Sequence, residues 1–383
     1  KSCFGDKEHF FQGEGVWTTT YAQCDELVRS KQRRSKAFAC IRACTPDLFA
    51  SGLLIFLPNE GGPESEWASF RRALHDAFLD QGGSSYKDRM SKLKDKLASG
   101  WANPKLADLD KKSFLRALVS KSIFYVMFGV WPTDDEAKTL ANWRGYARLF
   151  VLNRLLQRFI FNRGIKKVKK LREATVAIIE KYNLCDIFVR INDGLPSEHQ
   201  RKPVVRLCDE IMYGVGFAGI GGTCACVESV SQFLQKKTGE VPPDSVNFKD
   251  YASSIELIAA YKENSVTFIK ETCRLDPPVT SATTVLKSTT KFDLGKPLTM
   301  NEGMLQQYTI ALANRDPSVF SEPDVFNPKR DNLNLALTWN GAFVEEEELT
   351  YPRICPGRYL AIDVARTIID LSLSQIPPEL HRP

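Results

Sequence analysis

Among its 10 cysteines the chain has no C-x-x-C pair, and its 4 histidines, His9, His75, His199 and His381, each stand alone. The ligand spacing that a structural zinc site needs is therefore missing. No uninterrupted apolar stretch is as long as a membrane-spanning helix, and there is no internal repeat or low-complexity tract. An excess of charge is missing too: 52 Lys and Arg against 46 Asp and Glu leave +6 over 383 residues. That balance excludes a strongly basic nucleic-acid binder, so no nucleic-acid partner is expected. A basic run at Lys166, Lys167, Lys169, Lys170 and Arg172 lies in an amphipathic stretch. It reads first as a solvated helix face and second as a peripheral membrane contact. Cys224 and Cys226 point to different faces of a helix and read as packing residues in a reducing compartment. The chain opens at Lys1. The expectation is an intracellular protein, membrane-associated or organellar, whose targeting segment lies outside this sequence.

What is present fits a globular chain with a large core: 43% apolar and 26% charged residues. From about Glu64 to Val130, and from Asp134 to Asn183 after the break at Pro132, apolar residues recur at intervals of three and four, which predicts helices. Between Phe292 and Ala311, turn signals flank short runs with strand character and predict a small sheet. The prolines between Arg315 and Arg330 exclude a long helix or central strand there and leave an ordered meander. The last helix starts after Pro356 and runs to about Leu373. The whole, residues 1–383, is expected to be one mainly α domain with a small β part.

Four constellations carry chemistry. Cys355 stands in Tyr351-Pro-Arg-Ile-Cys-Pro-Gly-Arg358, with Arg353 before it, Gly357 after it and a helix start beside its sulfur. That combination presents one thiolate to one metal, and a haem iron takes such an axial ligand. Alone, the same residues also describe a buried structural cysteine near a turn. Glu271 and Arg274 share a helix face that Pro277 and Pro278 end; alone, they are an ordinary surface pair. Trp67 and Arg71 are one turn apart and can present an indole and a guanidinium to a carboxylate, or simply belong to an amphipathic helix. Gly214, Gly216, Gly219, Gly221 and Gly222 crowd one helix, each costing about 1 kcal/mol against alanine. Such a run suggests that something approaches the backbone closely. Gly214-x-Gly216-x-x-Gly219 also matches a dinucleotide fingerprint, but no alternation of strand and helix surrounds it.

In this order and spacing, Trp67-x-x-x-Arg71, the glycine-rich helix, Glu271-x-x-Arg274, the meander ending at Arg330 and Arg353-x-Cys355-x-Gly357 resemble the cytochrome P-450 superfamily, across roughly Trp67 to Ile369. The resemblance implies a triangular, helix-rich prism enclosing haem b, here shortened at both termini. It implies Cys355 as the axial metal ligand, with Arg353, Trp67, Arg71 and Gly357 around the cofactor. Glu271, Arg274 and Arg330 become a structural network under the cysteine loop.

Monooxygenating members carry an acid and an alcohol on the glycine-rich helix, where this chain has Gly221 and Gly222, followed by Thr223. Glycine relays no proton through a side chain. Phe217, Gly221 and Gly222 match the F-N-x-x-G-G of the allene oxide synthase, hydroperoxide lyase and epoxyalcohol synthase clan, and Arg274-Leu-Asp-Pro-Pro-Val279 is similar to its R-x-E-P-P-V. Trp339-Asn-Gly ahead of the cysteine is similar to the clan's W-S-N-G. Ala218, where the clan has asparagine, departs from it, as do Glu348 and Tyr351 from the superfamily's phenylalanine and first glycine. The resemblance implies homolytic rearrangement of a polyunsaturated fatty-acid hydroperoxide to epoxyalcohol, allene oxide or aldehyde, with no dioxygen and no obligatory reductase partner. Phe217, Ala218, Val279, Thr280 and Ser281 would line the substrate side. The alternatives are a reductase-dependent monooxygenase acting on a lipophilic substrate, and a haem-binding protein without turnover.

Overall fold

A computed structural model of the chain describes residues 9–12, 15–29, 65–78, 84–100, 108–109, 111–142, 170–184, 189, 192–193, 195–197, 212–236, 246–285, 289–293, 297–301, 305–346 and 350–374. In chain order the elements include β1 (His9–Gln12), β2 (Gly15–Thr18), α1 (Tyr21–Arg29), α2 (Glu66–Phe78), α3 (Ser84–Gly100), α4 (Lys112–Phe128), α5 (Asp134–Ala141) and α6 (170–181). A π-helical stretch (Met212–Gly219) then runs into α7 (Ile220–Leu234), followed by α8 (Ser254–Glu263) and α9 (Ser265–Leu275). Next come β3 (Ala282–Val285), β4 (Thr290–Asp293), β5 (Pro297–Met300), β6 (Leu305–Tyr308), α10 (Ile310–Ala313) and α11 (Arg358–Leu373). Helices dominate, as the apolar spacing predicts. The residues form two compact units that alternate along the chain: Lys1–Arg33, Ala98–Lys111 and Ala225–Pro383 in one, Arg34–Leu97 and Lys112–Cys224 in the other.

In the first unit a four-stranded sheet has the order β1-β2-β6-β3. β2 runs parallel to β6, with Thr18 opposite Tyr308, and β3 pairs antiparallel on the other side of β6, with Ala282 opposite the same tyrosine. β4 and β5 form a separate antiparallel pair. The predicted sheet region between Phe292 and Ala311 is thus split between two sheets, and its end is helical at Ile310. Local alternation marks strand character but not the partner, which for β6 comes from the far end of the chain.

The helices of this unit are cut by their own sequence. α9 starts where the Asn264 side chain accepts the Thr267 amide at 3.1 Å, and it stops at Leu275, just before the proline pair. Its inner face, Phe268, Ile269 and Glu271 through Leu275, is buried. Phe268 meets Phe326 edge-on at 4.9 Å and Phe233 meets it at 5.5 Å, so this ring cluster ties α7, α9 and the meander together. The meander itself is seated by a bridge between Asn247 and Val325.

In the second unit α4 is buried on every side from Leu115 to Phe128 apart from Arg116, the pattern of a central helix. It ends at Gly129, whose φ of +72° is a left-handed C-terminal stop, and Arg89 of α3 donates to the carbonyls of Val126 and Met127 there. α5 carries a capping box: Thr133 accepts the Glu136 amide while the Glu136 carboxylate accepts the Thr133 amide. The mostly helical pattern read from Glu64 to Val130 corresponds, among the described residues, to α2, α3 and α4. Of the basic run, Lys166, Lys167 and Lys169 lie outside the described residues, and Lys170 is exposed on α6. Among the described residues no helix is long and apolar enough to cross a membrane.

Candidate functional site

Cys24, Cys224, Cys226 and Cys273 are buried, whereas Cys355 is partly exposed, which sets it apart among the described cysteines. Its amide donates to the Trp339 carbonyl at 2.7 Å, and its carbonyl accepts from Arg358 Nη1 at 3.0 Å. The Ile354 amide closes a turn onto the Tyr351 carbonyl at 2.9 Å. α11 starts directly afterwards with Gly357 at its N-cap and no side-chain cap, so the positive end of the helix lies two residues beyond the sulfur and favours a thiolate.

Tyr351 locks the front of this loop. It is fully buried, its hydroxyl donates to Asp25 Oδ1 at 2.7 Å and accepts from Arg29 Nη2 at 2.8 Å, and Arg29 closes the triangle onto Asp25 at 2.6 Å. Burial, reinforced by Asp25, pushes the phenol well above its usual range, so it stays neutral. Tyr351 thereby ties the cysteine loop to α1.

Beneath the loop lies the network predicted from Glu271, Arg274 and Arg330. Arg274 binds Glu271 through two parallel bonds of 2.7 and 2.9 Å, with both side chains wholly inaccessible. Arg330 Nε and the Asn327 amide add bonds of 3.1 and 2.9 Å to the same carboxylate. The remaining Arg274 donors reach the carbonyls of Asn314 and Pro323 at 2.7 and 2.8 Å. From Asn314 the bonding continues to Thr338 Oγ1 at 3.0 Å, and Thr338 donates back to the Cys273 carbonyl at 3.0 Å. Thr338 is the neighbour of Trp339, whose carbonyl holds Cys355. Sequence reasoning reached the charged residues only through the order of motifs that carries the family resemblance, since the pair alone reads as an ordinary surface pair. It missed Asn314 and Thr338, which carry no local signal. It also gave no role to Asn340, which it met only as part of the Trp339-Asn-Gly motif.

The group that the resemblance implies can be tested against these residues. A porphyrin needs a ligand with an open side, room over the loop and a cationic donor for its carboxylates. Cys355 is partly exposed, and a Cβ added at Gly357 would meet no heavy atom of the described residues within 4 Å. Arg353 is engaged through its carbonyl, and its Nε is a buried donor with no hydrogen-bond acceptor among the described residues. These residues fit a haem.

In the second unit Trp67 is buried on α2, the Arg71 guanidinium lies 5.5 Å from its ring centroid, and Arg72 is exposed. The glycine-rich segment is π-helical from Met212 to Gly219 and α-helical only from Ile220. A plain helix was expected, and the difference follows from composition: glycine contributes least to α-helical stability, so the wider ladder costs little here. A Cβ at Gly219 would lie 3.2 Å from the Gly214 carbonyl oxygen, whereas at Gly222 it would meet nothing within 4 Å. Gly221 and Thr223 are buried, and Ala218 is exposed. Phe217 belongs to the π-helical backbone. The dinucleotide glycines Gly214, Gly216 and Gly219 all lie within this helical stretch, not in a strand-to-helix turn. In the first unit Val279 and Thr280 are exposed, and Ser281 Oγ accepts from Gln307 at 3.0 Å.

No protein-family model matches the chain, and no curated protein matches it in sequence. Solved structures do. The versatile cytochrome P450 enzyme CYP109B1 from Bacillus subtilis is 15% identical with a TM-score of 0.64, over 96% of this chain and 88% of that one. P450BioI in complex with an acyl carrier protein bearing hexadec-9Z-enoic acid is 15% identical with a TM-score of 0.64, over 95% and 85%. One of a group of unusual cytochrome P450-like monooxygenases of microbial secondary metabolism is 14% identical with a TM-score of 0.68, over 97% and 89%. With nearly its whole length matched, this chain has the cytochrome P450 fold.

Proposed function

We propose that the protein is a haem-thiolate enzyme that rearranges polyunsaturated fatty-acid hydroperoxides. Cys355 would hold the iron, Arg353 with Trp67 and Arg71 would meet the haem carboxylates, and Gly357 would leave room for the ring. When bound, the haem supplies one-electron cleavage of a peroxide O–O bond. The substrate brings its own oxidising equivalents, so isomerisation to an epoxyalcohol, dehydration to an allene oxide or scission to aldehydes balances without dioxygen or reductase.

The observation that carries this proposal is the pair Gly221 and Gly222, which stand where monooxygenating relatives carry an acid and an alcohol. Neither can deliver a proton, and among the described residues a Cβ at Gly222 would meet nothing within 4 Å. Ala218 adds no polar group, which favours return of hydroxyl to the substrate carbon over directed proton loss. Phe217, Val279, Thr280 and Ser281 would contact the substrate. Val279, an apolar side chain left 48% exposed, is suited to a lipid chain.

The test is to incubate haem-loaded protein with several fatty-acid hydroperoxides and no reductant. Consumption with formation of epoxyalcohol, allene oxide or aldehyde supports the proposal, and inertness towards all of them defeats it. A reductase-fed monooxygenase is the second reading, favoured by the monooxygenase described among the solved structures of this fold. There Thr223, a buried hydroxyl, would act with water in the proton path, and product formation would require reductant and take up dioxygen.

A further inference from the structure

We infer that Asn340 is a positioning residue for the axial cysteine, holding the backbone that leads into Cys355; this rests on Cys355 being the haem ligand. Asn340 has φ of +63°, a left-handed conformation that glycine adopts without strain and asparagine tolerates. A glycine would satisfy the backbone there at less cost, so the side chain must contribute something. Its contacts show what that is. Nδ2 donates to the Arg353 carbonyl at 2.7 Å, and Oδ1 accepts from the hydroxyl of Tyr308 at the end of β6.

The neighbours of Asn340 extend the grip. The Trp339 carbonyl, one residue before, takes the Cys355 amide at 2.7 Å. Gly341, one residue after, lies so close under Tyr351 that an added Cβ would come within 2.7 Å of that side chain's Cβ and Cγ and 3.2 Å of Ile354 Cδ1. Three consecutive residues thus form a seat for 351–355: a carbonyl for the ligand's own amide, a carboxamide for the carbonyl two residues earlier, and a bare backbone for the tyrosine. The left-handed turn at 340 makes these three contacts possible together, and Tyr308 fixes the carboxamide so that its NH2 faces Arg353. Losing the side chain frees the Arg353 carbonyl, loosens the Cys355 amide, and changes how the sulfur is presented.

The test compares Asn340→Gly, which keeps the backbone conformation and removes the side chain, with Asn340→Asp, which keeps the acceptor for Tyr308 and loses the donor to Arg353. Tyr308→Phe leaves the loop intact and removes the clamp on the carboxamide. In the haem-loaded chain, the asparagine variants are expected to lose the larger part of the long-wave Soret band of the reduced carbon monoxide complex and to shift in reduction potential. Tyr308→Phe should fall between them and the wild type. In the haem-free chain, amide exchange at Cys355 should be roughly tenfold faster in Asn340→Gly. Wild-type spectrum, potential and exchange in all three variants would overturn the inference. If the wild-type protein itself shows no long-wave band, the haem assignment fails, and the exchange measurement still decides whether Asn340 holds the loop. If Asn340→Gly does not fold, Tyr308→Phe carries the same comparison.

Discussion

Glu271 accepts hydrogen bonds from Arg274 at 2.7 and 2.9 Å in a pocket where neither side chain has any accessible surface. Removing one partner leaves a buried charge uncompensated, which costs roughly 3–5 kcal/mol. Arg274→Leu is therefore expected to lower the unfolding free energy by that amount and to reduce haem retention, because Arg274 also holds the Asn314 carbonyl that leads to Thr338. Urea denaturation followed by fluorescence checks this. A loss under about 1 kcal/mol would mean that the pair is dispensable.

Thiol chemistry should single out Cys355 among the described cysteines. Burial pushes the Cys24 thiol up to about 12 against the pull of its bonds to Thr18 and Thr309, and Cys224, Cys226 and Cys273 are also inaccessible. In the haem-free protein at pH 8, alkylation resolved by peptide mass spectrometry is expected to modify Cys355 well before these four. Haem loading should then protect it. Unprotected Cys355 in a chain that has taken up haem would remove it as the ligand.

Two glycines should respond oppositely to the same substitution. Gly222→Ala adds a methyl into open space on a helix and is expected to stabilise the haem-free protein by up to about 1 kcal/mol while slowing hydroperoxide turnover. Gly341→Ala drives a methyl into Tyr351 and is expected to destabilise by about 1–3 kcal/mol. Thermal denaturation of both variants, with turnover for the first, decides the matter.

Acid should act through Glu136. Burial opposes its charged form, but the bonds from Lys181, the Thr133 amide and Tyr182 outweigh that and hold its carboxyl down at about 2, against an ordinary 4.5. A lowered native value means that its stabilisation is complete above pH 4.5 and is lost as pH falls towards 2. Glu136→Gln should flatten the stability profile in that window and leave the profile above it parallel to the wild type. An unchanged acid limb would show that the ion pair with Lys181 has no thermodynamic weight.

Much of the site was legible in the residues once they were taken together. One cysteine between an arginine and a glycine, one acid with two arginines and a cluster of glycines each have a bland reading alone, and only their order along the chain makes them recognisable. The hydrogen-bonded support was not legible. Asn314, Thr338 and Tyr308 are ordinary polar residues whose meaning arises when remote segments meet, and Asn340 showed only within the Trp339-Asn-Gly motif, with no contact implied. The strand partners of β6 were hidden for the same reason, since alternation specifies a face and not a neighbour.

By itself, the sequence determined the helical class, the end of α9 at its proline pair and the start of α11 after Pro356, all matters of local propensity. Only the tertiary structure decided which cysteine keeps an open side, which carbonyl receives its amide and how the glycine-rich helix winds. Those outcomes depend on burial and on hydrogen-bond partners distant in the chain, and a buried polar group takes whichever partner packing brings to it.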